Sequence, residues 1–228
     1  MTTPQRKLPR GTNALPVDEV EALQRGRVYA ALAQVLTERG YAAATVEHVI
    51  KRAGVSRQTF YRYFDSKADC FAAAYQAAGE SLLAQVLQRL GAAGSESPAG
   101  ADDGPPHRFG RLVDAYIHTL AADWPTARLC LVEAFAAGPG VLPVRAPLYD
   151  TVVDLVAETL GVTDPEGLLA CRMILAATTA LATSAVADGD QGQLDAAAVE
   201  LNRYVRQLWD AGLLGPRPRP TAPDFPPT

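Results

Sequence analysis

Arg57, Gln58, Thr59, Tyr61 and Arg62 stand within six residues, interrupted only by Phe60. Arg presents a fork of donors that fits a guanine edge, Gln pairs with adenine, and Thr can bond a base or a phosphate. On a helix, Phe60, Tyr63 and Phe64 repeat at i, i+3, i+4 and face inward, which leaves the five polar positions outside. Four of the sixteen aromatic residues lie between 60 and 64, and Tyr61 falls on the polar side, where a merely solvated face has no use for a ring. Lys51, Arg52, Arg57, Arg62 and Lys67 outnumber Glu47 and Asp65, so the segment attracts phosphate. An ordinary helical hairpin with solvated charges is the alternative that the aromatic cluster argues against.

Two elements must hold these side chains out. Val46, Val49, Ile50 and Ala53 form the apolar stripe of a preceding helix, with Thr45 as its N-cap and Gly54 as the left-handed residue that ends it. Val55 folds inward and Ser56 caps the second helix. Two helices joined by such a turn are the unit that lays its second helix in a major groove. Asp65 and Ser66 then cap a further helix beginning at Lys67, whose amides and ammonium suit a phosphate.

The run AGVSRQTFYRYFDSK, with ERGYAAATVEHVIKRAG ahead of it, resembles the DNA-binding domain of the TetR family of transcriptional regulators, over roughly residues 20–83. Family members commonly carry a small residue where Gln58 stands. The resemblance implies an all-α homodimer, with an N-terminal three-helix helix-turn-helix domain on a palindromic operator and a larger helical domain that binds a small-molecule effector. It also implies a phosphate contact for the Thr45 hydroxyl. The candidate DNA-contacting set is then Thr45, Arg57, Gln58, Thr59, Tyr61, Arg62, Tyr63 and Lys67.

At 228 residues the chain has room for one domain of about 60 residues and one of about 120. Residues 1–17 carry Arg6, Lys7 and Arg10 among Pro, Gly and Thr and read as a flexible basic arm. Residues 18–90 form the DNA-binding domain and its linking helix: Asp18 with Glu21 predicts a capping box, Val28, Ala31, Leu32, Val35 and Leu36 a core stripe, and Gly40 a stop. Residues 91–106, GAAGSESPAGADDGPP, read as a mobile loop. Helices follow over about 107–122, 126–137, 147–160, 165–187 and 193–212 within a domain spanning 107–214. Past it, 215–228 form a Pro-rich tail.

Charge is divided along the chain. Residues 1–90 hold 12 Lys and Arg against 8 Asp and Glu, and residues 91–228 hold 9 against 17, so the basic part contains the helix-turn-helix and the acidic part is repelled from DNA. No run of 18 apolar residues is free of charge, and the N-terminus has no apolar signal segment, so a cytoplasmic protein is expected.

Catalysis finds no support in the motifs. His48, His107 and His118 are isolated, and Cys70, Cys130 and Cys171 lie 60 and 41 residues apart without CxxC, which points to no metal site, no cofactor and three small buried hydrophobes. If residues 107–187 enclose a cavity, as the resemblance implies, Tyr116, Leu120, Trp124, Leu131, Phe135, Tyr149 and Met173 supply an apolar wall, with His118 or Thr178 as hydrogen-bonding groups. That lining favours an apolar effector. The last two long helices, presenting Leu168, Leu169, Ile174, Ala177, Ala180 and Leu181, and Leu194, Ala198, Leu201, Val205, Leu208 and Trp209, suit a four-helix dimer interface. The expected function is a repressor released from its operator by a ligand. A ligand-independent regulator, an activator, and a helical carrier or enzyme with an incidental hairpin stay open.

Overall fold

The computed structural model describes residues 16–96 and 104–214, and every regular element among them is helical. Most of the basic arm, the middle of the 91–106 segment and the whole Pro-rich tail lie outside the described residues.

Helix α1 (Val17–Ala43) begins after Pro16 without a side-chain cap, and Asp18 sits in its first turn. The expected Asp18 capping box is therefore corrected: the acidic pair Asp18 and Glu19 faces the unpaired amides of the helix start as charge rather than as a cap. Gly40 breaks the regular helix as expected, with φ of 70° and ψ of 165°, a conformation that a side chain disfavours, and the span beyond it to Ala43 is a separate short piece. Helices α2 (Val46–Ala53) and α3 (Arg57–Tyr63) follow. Gly54 ends α2 at φ 65°, ψ 36°, and Ser56 caps α3 through the Thr59 amide at 3.0 Å.

Helix α4 (Lys67–Glu96) overruns the expected loop by six residues, because Gly91, Ala92 and Ala93 do not interrupt a helix that is already propagating. Helix α5 (Pro105–Ala122) resumes with proline in its first turn, where its missing amide is harmless. The expected 126–137 helix is three pieces: α6 (Trp124–Arg128), a π-helical turn (Leu129–Glu133) and the short α7 (Ala134–Ala136). A 3-10 turn (Pro139–Val141) leads into α8 (Leu142–Leu160). Pro147 lies inside α8 and not at its start, since Pro143 takes that position. Helices α9 (Pro165–Asp188) and α10 (Gln191–Asp210) complete the fold, each with an aspartate N-cap.

Two apolar clusters organise these elements. One gathers Val28, Leu32, Leu36, Val49, Phe60, Phe64 and Phe71 around the helix-turn-helix, and it also takes in Leu129, Ala134 and Val141 from much later in the chain. The other is built from Val86, Phe109, Leu112, Leu120, Leu131, Val156, Leu160, Ile174, Leu194 and Val205. The α10 stripe expected at a dimer interface is largely spent here: Leu194, Ala198, Leu201 and Val205 are buried within the subunit. Helix α9 instead leaves Leu169, Met173 and Leu181 exposed.

Phe60 is 1% exposed and Tyr61 44%, although the two are neighbours. Phe60→Ala should cost about 3–5 kcal/mol of folding stability and Tyr61→Ala no more than about 0.5 kcal/mol, as read from urea unfolding midpoints.

Candidate nucleic-acid interface and effector cavity

The reading head is held by reciprocal caps. Thr45 Oγ1 accepts from the His48 amide at 3.2 Å, and His48 Nδ1 accepts from the Thr45 amide at 3.3 Å. His48 thus completes a capping box on α2. Ser66 Oγ accepts from the Asp69 amide, and Asp69 returns the bond to the Asp65 amide, both at 3.0 Å. Arg27 ties α1 to the last turn of α2 through the Ala53 carbonyl at 2.8 Å.

On α3, Arg57, Gln58 and Tyr61 are exposed, and the Arg57 guanidinium lies 5.6 Å from the centre of the Tyr61 ring. The other candidates have internal partners. Arg62 donates to the Tyr63 hydroxyl at 3.1 Å, and that hydroxyl donates to Gln24 Oε1 at 2.9 Å, which draws both side chains towards α1. The Thr59 hydroxyl shares a 2.8 Å hydrogen bond with Ser56. Lys67 donates to the Tyr41 and Ala44 carbonyls at 2.7 and 2.9 Å and stands 4.2 Å above the Tyr41 ring. Two of its three donors are therefore used within the head. Arg52 is paired with Glu38 at 2.6 Å. The open, donor-rich face is Arg57, Gln58 and Tyr61, and Thr45 is exposed at the adjoining end of α2.

Behind the head, α4, α5, the π-helical turn, α8 and α9 surround a cavity of about 160 Å³. Tyr116, Leu131, Phe135, Tyr149 and Thr178 line it, as do Tyr75, Phe109, Arg145 and Leu148. Four expected wall residues are elsewhere. Met173 is 65% exposed on the outer face of α9. His118 is exposed, with its Nδ1 donating to the Asp114 carbonyl at 2.7 Å. Leu120 is buried in the core away from the cavity, and Trp124 packs against that core from its edge. Met173 and His118 sit one or two positions off the cavity-lining Ile174 and Tyr116, a rotation that apolarity alone does not specify, whereas Leu120 lies a turn beyond Tyr116 on the same stripe and α6 lends the lining no residue. Gly79 on α4 lies where α8 approaches, and a Cβ there would push the end of the Leu148 side chain aside.

Burial pushes the Cys70 and Cys130 thiols up to about 12, so both stay protonated at neutral pH and behave as apolar filling. Among the described residues no three His, Cys, Asp or Glu side chains are grouped as metal ligands.

Head and cavity meet at one buried carboxylate. Glu133, 3% exposed, ends the π-helical turn and accepts from the Tyr41 amide at 2.7 Å, just past the Gly40 kink. Its other oxygen accepts from Arg128 Nε at 3.1 Å, and Arg128 donates onward to the Ala187 carbonyl near the end of α9 at 3.3 Å. The sequence reading passed over Glu133. Its one available signal was a lone carboxylate within the apolar run Leu129–Ala137, where burial demands a partner.

Residues 28–74 match the profile described as bacterial regulatory proteins, tetR family. The HTH-type transcriptional activator FasR of Mycolicibacterium smegmatis is 28% identical over 156 residues, 67% of this chain and 65% of that protein. The transcriptional regulator AcuR of Cereibacter sphaeroides is 32% identical over 95 residues, 42% of this chain and 40% of that protein. The chain thus spans less than two thirds of the length of either relative. A transcriptional regulator from Rhodococcus sp. RHA1 superposes with a TM-score of 0.60 at 26% identity, over 80% of this chain and 96% of the other. The fatty acid degradation regulator FadR of Bacillus halodurans has the same fold, with a TM-score of 0.62 at 21% identity over 79% and 93%. The helix-turn-helix segment thus matches the tetR family profile, and the all-helical fold is shared with these regulators.

Proposed function

We propose that the chain is a cytoplasmic, DNA-binding transcriptional regulator that acts as a homodimer on a palindromic operator and lets go when a small, largely apolar ligand fills the cavity. The observation that carries the reading is the open face of α3: Arg57, Gln58 and Tyr61 are exposed while Phe60 and Phe64 lock the opposite face into the core. Residues 18–90 are the reading head with its linking helix, and 107–214 the effector-binding and dimerisation unit. Base contacts come from Arg57, Gln58 and Tyr61, and phosphate contacts from Thr45, the third donor of Lys67, and the Arg62–Tyr63 edge. Activation is a second reading, favoured by the relative named as an activator. No observation assigns a reaction to the chain, and a carrier or enzyme would give DNA affinity that is weak and indifferent to salt.

Dimerisation falls to α9. Leu169, Met173, Ala177, Ala180 and Leu181 are exposed on it, and small residues let two helices approach closely. Two copies related by a twofold axis would set their α3 helices about 34–36 Å apart, one turn of duplex.

Coupling runs through Glu133. The π-helical turn contributes Cys130 and Leu131 to the cavity wall and, two residues on, the acceptor of the Tyr41 amide. A ligand that displaces the wall moves that acceptor, and with it the segment from Tyr41 to Thr45 that sets the start of α2. Any ligand preferring the displaced arrangement lowers DNA affinity by the same factor by which DNA lowers its own.

Four outcomes are expected. Arg57→Ala and Tyr61→Ala should each weaken operator binding by about 1–3 kcal/mol with the fold intact. In wild type the log-log salt slope should be steep, about −0.9 per neutralised phosphate, and a flat slope in a fluorescence-anisotropy titration would favour the carrier or enzyme reading. Ala180→Glu places like charges across the twofold axis and should convert the dimer to monomer in light scattering. Glu133→Ala should accelerate amide exchange at residues 41–45 and lower DNA affinity, whereas Glu133→Gln, which still accepts from Tyr41, should do so less; exchange there that does not change in either variant counts against the coupling.

A further inference from the structure

The polar groups of the cavity wall are unevenly committed. Tyr149 donates its hydroxyl to the Arg172 carbonyl at 3.0 Å, Thr178 to the Ile174 carbonyl at 2.7 Å and Thr179 to the Leu175 carbonyl at 2.9 Å. Three groups have no such commitment. The hydroxyls of Tyr75 and Tyr116 and the guanidinium of Arg145 make no hydrogen bond or ion pair with any described residue, and all three residues line the cavity. Tyr75 is 6% exposed, and its hydroxyl has no protein partner yet keeps accessible surface, so it is free to donate to a group within the cavity. Arg145 touches only the face of the Phe135 ring, 5.4 Å from its centre.

These groups are neighbours. The charge of Arg145 acts on the Tyr75 hydroxyl against the upward push of burial, and Tyr75 and Cys130 act in turn on Tyr116. Arg145 also lines a groove between α8 and α9 that shares Phe135 and Tyr149 with the cavity. The carboxylate of that groove, Asp150, is paired with Arg172 at 3.2 Å. Arg145 is thus a cation at the mouth of an otherwise apolar chamber, with two phenolic donors behind it and no protein carboxylate assigned to it.

We propose that the effector is an amphipathic carboxylic acid, its apolar body enclosed by Phe109, Leu112, Leu131 and Val156 and its carboxylate held by Arg145, with Tyr75 and Tyr116 donating to the same group. This rests on the effector-cavity reading above and names the ligand class for it. A guanidinium and two hydroxyls together supply forked, charge-assisted donors to both carboxylate oxygens. The enclosed volume of about 160 Å³ is close to that of an engineered apolar cavity that admits benzene, which sets the buried body at on the order of six to ten carbons. A cationic ligand is repelled by Arg145, and a neutral one leaves the three donors unpaired.

The full-length protein is titrated calorimetrically with octanoate, 1-octanol and octylammonium. Octanoate should bind at least about tenfold more tightly than 1-octanol, and octylammonium more weakly than both. Arg145→Gln should bring octanoate to the level of 1-octanol while leaving 1-octanol unchanged, and Tyr75→Phe, which keeps the ring in the core, should lower octanoate affinity by about threefold or more. Octanoate should also weaken operator binding in wild type and not in Arg145→Gln. If 1-octanol binds as tightly as octanoate, or if the preference for octanoate survives Arg145→Gln, the proposal is overturned and the apolar effector cavity stands. If none of the three amphiphiles binds, the proposal and the cavity reading fall together.

Discussion

The Glu133 carboxylate is buried between two bodies that share little other polar contact, accepting from the Tyr41 amide on one side and from Arg128 on the other. A carboxylate enclosed in this way is costly unless its acceptor sites are filled, so the backbone near the Gly40 kink is held where its amide can reach. Leu129, Ala134 and Val141 support the same joint by contributing to the apolar cluster of the helix-turn-helix. Apolar contacts of this kind tolerate sliding, because one side chain can exchange neighbours with small loss. A buried ionic hydrogen bond does not, and it sets the register between reading head and body.

One short segment, the π-helical turn, serves two cores. Leu129 belongs to the cluster of the head and Leu131 to that of the cavity, with Cys130 packed at the edge of both. On a helix, residues two apart point to nearly opposite sides, about 200° apart, so Leu129 and Leu131 reach different cores. The wider turn, a form that recurs at functional positions in helices, redistributes consecutive residues between the two sides. The wall of the cavity and the acceptor of the Tyr41 amide therefore lie on one turn of backbone.

Helix α9 illustrates how composition underdetermines role. Its length and mean hydropathy would suffice to cross a membrane, yet it packs one face inside the subunit through Cys171, Ile174, Ala182 and Val186. Its other face shows Leu169, Met173, Ala177, Ala180 and Leu181 to the outside. A helix apolar on both faces needs two apolar environments. The subunit supplies one, and the dimer proposed above would supply the other.

Local chemistry was readable where a residue type has few alternatives. Thr45, Gly54 and Ser56 cap and end α2 and α3 as their types dictate, and the inward pair Phe60 and Phe64 follows from 3.6-residue periodicity alone. Asp164 and Asp190 cap α9 and α10 for the same reason. Where many positions are apolar, as along α5, α8 and α9, periodicity leaves the angle of each helix about its own axis open by a residue or two. That angle decides that Ile174 meets the cavity while its neighbour Met173 does not. The long-range partners were beyond local reading altogether: nothing near Glu133 in the chain names Tyr41, 92 residues away, and nothing near Arg145 names Tyr75. The sequence by itself determined the helices, their caps and the charged face of α3, because those depend on neighbours within a turn. Only the tertiary structure decided which buried polar groups find partners and which are left to a ligand, because that depends on how whole helices pack.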